Sequence, residues 1–137
     1  MPTYGLYPWT PDYGYRYVHP ASRLHFEDIE PLGKVFERLS EDPDADDEGG
    51  WLLLRYDDAT YKVRPELFTP LTGARARLPF GFGDPVRERV GPNGAAPRRG
   101  TIGAIHWDAA ADAPRYTLWL GKRRSDQVYA AQELEAA

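Results

Sequence analysis

The side chains that could carry chemistry are three histidines, a spaced run of aspartates, a few serines and a set of Trp, Tyr and Arg residues. His19 and His25 stand six apart. That is not the i, i+4 spacing that puts two ligands on one helical face, and the chain has no cysteine to complete a zinc shell. His19 precedes Pro20 and reads as a turn residue, and His106 beside Trp107 reads as a strand-face residue. Asp42, Asp44 and Asp46 imitate the first ligand positions of an EF-hand loop. The imitation fails at the sixth place, Asp47, where a Gly must turn, and at the twelfth, Leu53, where a bidentate Glu is needed. The stretch from Glu41 to Glu48 is therefore expected to be an acidic, solvated hairpin loop, and no metal or cofactor is expected. Ser22, Ser40 and Ser125 lack the Gly-x-Ser-x-Gly turn that exposes a nucleophilic hydroxyl. Gly81-Phe82-Gly83 lacks the third glycine of a phosphate-binding loop. The chain reads as a non-enzyme.

What remains is recognition chemistry. Tyr116, Leu118 and Leu120 alternate onto one face of a strand, so Trp119 falls on the other face. With Trp107 and Tyr129 it is expected to wall a ligand groove, the alternative being that the first half of the chain covers it. Tyr13, Tyr15 and Tyr17 alternate with Gly14, Arg16 and Val18 as one face of an N-terminal strand, which is either packed or a recognition surface. Arg98-Arg99, Arg115 and Lys122-Arg123-Arg124 supply the basic half of a nucleic-acid footprint, with Trp119 placed for base stacking.

The elements that must position these residues are strands. Thirteen Gly and thirteen Pro punctuate a chain rich in Tyr and Trp, a strand-and-turn composition without helix-length apolar patterns. A short helical piece is expected from Ser22 to about Glu30, closed by Pro31-Leu32-Gly33. Strands follow near 34–40, 51–57 and 60–64, with Tyr56-Asp57-Asp58-Ala59 turning between the last two. Residues 65–85 read as a Pro- and Gly-rich connection. Beyond it come strands near 86–90, 101–107, 115–121 and 126–129 and a short terminal helix near 130–136.

One passage recurs. Val35-Phe36-Glu37-Arg38-Leu39 before Gly49-Gly50-Trp51-Leu52-Leu53-Leu54 returns fifty-one positions later as Val86-Arg87-Glu88-Arg89-Val90 before Gly100-Thr101-Ile102-Gly103-Ala104-Ile105. Each copy later reaches a Val and a Glu-Leu pair: Val63 with Glu66-Leu67, and Val128 with Glu133-Leu134. The reading is a mainly β protein of two small packed modules with short helical turns, an aromatic-rich module over 1–75 and a second over 76–137. Each is small enough to depend on the other. In the second, Gly83-Asp84-Pro85-Val86-Arg87, Gly100-Thr101-Ile102-Gly103-Ala104-Ile105, Tyr116-Thr117-Leu118-Trp119-Leu120 and Gln132-Glu133-Leu134 resemble an SH3-like barrel of the KOW or Tudor kind. Such modules often touch RNA or ribosomal partners. The whole chain, with Tyr4-Gly5-Leu6-Tyr7-Pro8-Trp9 and Val18-His19-Pro20, also resembles a small bacterial family of unknown function.

Charge divides unevenly. Residues 1–70 hold 7 Lys and Arg against 14 Asp and Glu, whereas residues 71–137 hold 10 against 7. No stretch approaches the roughly 20 apolar residues of a membrane span, and the opening has no leader-like run, so a cytoplasmic protein without membrane contact is expected. The excess of Tyr, Trp and Arg, types that anchor interfaces, points to a protein partner. An inhibitor or immunity-type factor would use an acidic surface in this way. The alternative is a nucleic-acid or ribosome-associated module using the basic second half. The residues expected to bind are Tyr15, Tyr17, Trp107, Trp119, Tyr129, Arg123 and Arg124.

Overall fold

The computed structural model describes residues 2–42 and 50–137. The spaced aspartates beyond Asp42, and with them most of the expected acidic loop, lie outside the described residues. The chain divides into two compact units, Met1–Ala76 and Arg77–Ala137, and the fold is mainly β. Among the described residues no helix is long and apolar enough to cross a membrane.

The first unit is an antiparallel sheet of β1 (Thr3–Leu6), β2 (Val35–Asp42), β3 (Trp51–Tyr56), β4 (Ala59–Val63) and β5 (Thr69–Pro70), in the order β4-β3-β2-β1-β5. Period-two alternation decides its inner face: Leu52, Leu54 and Tyr56 on β3 and Tyr61 and Val63 on β4 are buried. A long connection between β1 and β2 carries the helix α1 (Arg23–Asp28) and two one-turn 3-10 segments, Pro11–Tyr13 and Tyr15–Tyr17. These replace the expected tyrosine strand. Gly14 between them sits at φ 99, a left-handed backbone that no extended run of side chains adopts. The helix forms where expected, but the Ser22 side chain does not cap it. Its Oγ accepts the backbone N–H of Lys62 at 3.1 Å instead, tying the helix start to β4.

The second unit is built from β6 (Pro85–Glu88), β7 (Arg99–Asp108), β8 (Ala113–Leu120), β9 (Arg123–Arg124), β10 (Tyr129–Ala130) and β11 (Leu134–Ala136). Its order is β10-β8-β7-β6-β11, with β9 also on β8. The sheet is open in this order; no described pairing joins β10 to β11, so the expected closed barrel is not what the strands form. The expected terminal helix is a single 3-10 turn, Ala131–Glu133, followed by β11, because the free edge of β6 recruits residues 134–136 into the sheet.

The two units repeat one frame. In each, a first strand pairs with both the second and the last, a meander follows, and a 3-10 turn (Pro65–Leu67 or Ala131–Glu133) precedes the last strand. The match extends to single pairs of facing residues. Adding 64 to both numbers turns Glu37↔Arg55, Arg38↔Leu54 and Ser40↔Leu53 into Thr101↔Trp119, Ile102↔Leu118 and Ala104↔Thr117, with the same β-bulge skipping Leu39 and Gly103. The positive-φ residue of the following hairpin shifts likewise, from Asp57 to Gly121. This shift differs from the fifty-one read in the sequence, which aligned β2 with β6. The Glu66-Leu67 and Glu133-Leu134 echo is out of step by one residue, Leu67 ending its 3-10 turn and Leu134 following its own. The closing strands differ in chemistry: Leu6 faces Thr69 where Arg87 faces Glu135, and the latter two form an ion pair joined by Arg89.

Candidate functional site

The connection between β1 and β2 is where the two frames differ most, and it is held rigidly. Phe26 of α1 is fully buried and packs against Tyr7, Trp9, Phe36 and Tyr61, with ring centroids 5.3 to 5.7 Å apart. The Tyr7 hydroxyl donates to the Arg64 carbonyl at 2.5 Å, and burial pushes that phenol's pKa well up. The indole N–H of Trp9 donates to the Gly14 carbonyl at 3.0 Å. Two strand-like bonds, His19 N–H to the Lys62 carbonyl at 2.9 Å and Arg64 N–H to the Tyr17 carbonyl at 2.7 Å, fasten the connection to β4.

On the outside of this frame lie two adjoining hollows. One, of about 320 Å³, is lined by Trp9, Thr10, Pro11, Glu27, Glu30, Pro31 and Leu32. The other, of about 300 Å³, is lined by Tyr15, Arg23, Leu24 and Glu27. Glu27 is their shared wall and accepts a short hydrogen bond from the Tyr15 hydroxyl, which raises the Tyr15 pKa. Large apolar side chains stand exposed around them: Leu24 at 68%, Leu32 at 60% and Tyr15 at 43%. Singly, exposed leucines need no account, but several around one acidic-walled depression form an unusual surface.

The other residues singled out from sequence fall apart in space. Tyr17 receives a hydrogen bond from Arg16 at 2.5 Å and meets Tyr13 edge-on. Trp107 and Trp119 do not share a wall. Trp119 pairs with Thr101 and Trp107 with Pro114, six residues further along β7, about 20 Å at 3.3 Å per residue. Tyr129 is no groove residue, being 1% exposed in the core of its unit. Its hydroxyl bonds to the buried carboxylate of Glu88, which also receives Arg98 Nε at 3.0 Å, Arg98 Nη2 at 2.8 Å and the Arg98 backbone N–H at 2.8 Å. The Arg98 guanidinium holds the Glu88 carboxyl down at about 2, against an ordinary 4.5. Burial and that carboxylate push the Tyr129 phenol up to about 12. This cluster fastens the short β6 to β7 connection, and sequence reading missed it because Glu88 and Arg98 look like solvated charges.

Trp119 is held by two neighbours: the Arg124 guanidinium lies over the indole, 4.4 Å from a ring centroid, and Gly103 lies against its Cδ1–Nε1 edge, so close that a Cβ there would come within about 2.5 Å of the ring. Gly103→Val should therefore displace the indole and destabilise the second unit by about 1–3 kcal/mol. A lowered urea midpoint with a shift in tryptophan emission is the expected reading; unchanged emission would mean that the ring does not rest on Gly103. Arg123 is exposed on the short strand β9.

A mainly β protein of two like-framed units, with an acidic and apolar groove on the long connection of the first, is the class that fold and site define. The chain belongs to a family described as Family of unknown function (DUF6960), which it matches over residues 1–135. Neither the curated proteins nor the solved structures compared gave a match.

Proposed function

We propose that this chain is a non-catalytic binding protein of the bacterial cytoplasm whose partner is another protein, bound at the groove of the first unit. One observation carries the reading: Tyr15, Leu24 and Leu32 stand exposed around two adjoining hollows on a connection that buried rings hold in place. Apolar patches rimmed by polar groups mark interaction surfaces, and a rigid frame lowers the ordering cost of binding. An inhibitor or immunity-type role, with an acidic face covering a basic site, suits this surface. The strand order of the second unit, with a 3-10 turn before the closing strand, supports an SH3-like frame for it, without fixing a function. A nucleic-acid role for Arg123, Arg124 and Trp119 is less well supported, since the Arg124 guanidinium already lies over the indole where a base would have to stack.

Affinity capture from host lysate after nuclease treatment, with mass-spectrometric identification, tests the reading. The same protein should be recovered with the wild-type chain and with Arg123→Glu combined with Arg124→Glu. It should be lost with Leu24→Asp combined with Leu32→Asp, two exposed positions where folding is unaffected. Retention by the leucine variant and loss by the arginine variant would move the site to the second unit.

A further inference from the structure

The two hollows differ in charge. The one floored by Trp9 is walled by two carboxylates, Glu27 and Glu30, with no cation in its lining among the described residues, whereas its neighbour sets Arg23 against Glu27. Among the described residues neither Glu27 nor Glu30 has an ion-pair partner. Lys34 Nζ donates to the Glu30 backbone carbonyl at 3.0 Å and is attracted by the Glu30 carboxylate without forming an ion pair with it, and Arg23 Nε donates to the Val18 carbonyl at 3.0 Å, so Glu27 is the carboxylate most open to an added cation. An apolar pit rimmed by two carboxylates suits a side chain with an alkyl stem and a cationic head. The neighbouring pit, neutral in sum and flanked by Leu24 and Tyr15, suits an apolar side chain. Because the pits share Glu27, one extended strand can fill both: alternate side chains of such a strand point the same way, about 7 Å apart.

We infer, resting on the reading above, that the groove receives an extended basic segment of its protein partner. A Lys or Arg enters the hollow floored by Trp9, and an apolar residue two positions along enters the hollow at Leu24. Charge complementarity commits the groove to this occupant over an acidic segment, which would face two carboxylates.

The probes are fluorescein-labelled heptapeptide pools with two fixed positions, either Arg-x-Leu, Glu-x-Leu or Arg-x-Asp, titrated with the full chain and read by anisotropy at low salt. The Arg-x-Leu pool should bind at least tenfold more tightly than either other pool. Glu27→Arg combined with Glu30→Arg should invert the preference toward Glu-x-Leu, a gain that unfolding cannot produce. Equal binding of all pools, no binding of any, or a preference untouched by the charge swap would overturn the basic-segment inference. If lysate capture still gives a partner lost with the leucine variant, the protein-partner reading survives that result. Charge-inverting pools without a groove-dependent partner would leave the inference standing and remove that reading.

Discussion

Replacing Phe26 by Ala should lower the stability of the first unit by about 3–5 kcal/mol, enough to move a thermal midpoint by more than ten degrees in a unit of this size. Phe26 is fully buried and meets four other rings, so the substitution leaves a cavity among side chains that belong to two strands, β2 and β4, and to the connection. Those strands cannot all move inward, and the cavity persists. The same residue sets the floor of the groove through Trp9, so peptide or partner binding should fall with stability. Leu24→Ala, on the same helix but largely exposed, is the control and should change stability by less than about 0.5 kcal/mol. Urea unfolding followed by circular dichroism reads both; comparable losses would mean that α1 is not anchored through Phe26.

The second large effect is expected at the other unit, and its size depends on pH. Arg98→Ala leaves the Glu88 carboxylate buried without its cation, which is more damaging than losing the carboxylate itself because Arg98 is partly exposed and Glu88 is 1% exposed. In the wild type the folded carboxyl titrates at about 2, below its ordinary 4.5. It therefore contributes stability that is fully present above pH 4.5 and lost as pH falls toward 2. In Arg98→Ala that contribution is gone, and the stranded charge opposes folding wherever it is ionised. The gap between wild type and variant should be widest at neutral pH and narrow steadily below about pH 4. Glu88→Gln, which removes charge and keeps shape, should cost about 1.5–3 kcal/mol. Equal gaps at pH 7 and pH 3 would show that Arg98 acts through packing alone.

These effects show what the sequence made legible. Apolar runs placed β3 and β7, alternation placed β8, and Asp57 marked the hairpin into β4 through the turn residues around it. The short strands β5 and β11 left no periodic trace; they exist because the free edges of β1 and β6 hold their backbone groups. Tyr13, Tyr15 and Tyr17 alternated convincingly, yet the alternation was cut by a left-handed Gly14. Tyr15 was legible as a candidate from its type. Glu27, Glu30 and Leu32 were not, since only the folding of the connection onto Phe26 brings them beside it. Tyr129 was misread because its partner, Glu88, comes from a strand far back in the sequence.

A chain holding two interchangeable sheets has a particular way to go astray while it folds. Each first strand has an edge completed by an antiparallel closing strand, β5 over two residue pairs and β11 over three, so each edge could be tried by the other closing strand. An exchange would set Glu135 against Leu6 and Thr69 against Arg87, separating the carboxylate from both of its guanidinium partners. An exposed ion pair of this kind adds little to stability. In such an exchange Arg87 would face Thr69 and lose its counter-charge, so the pair weighs for the native closing strand over the exchanged one.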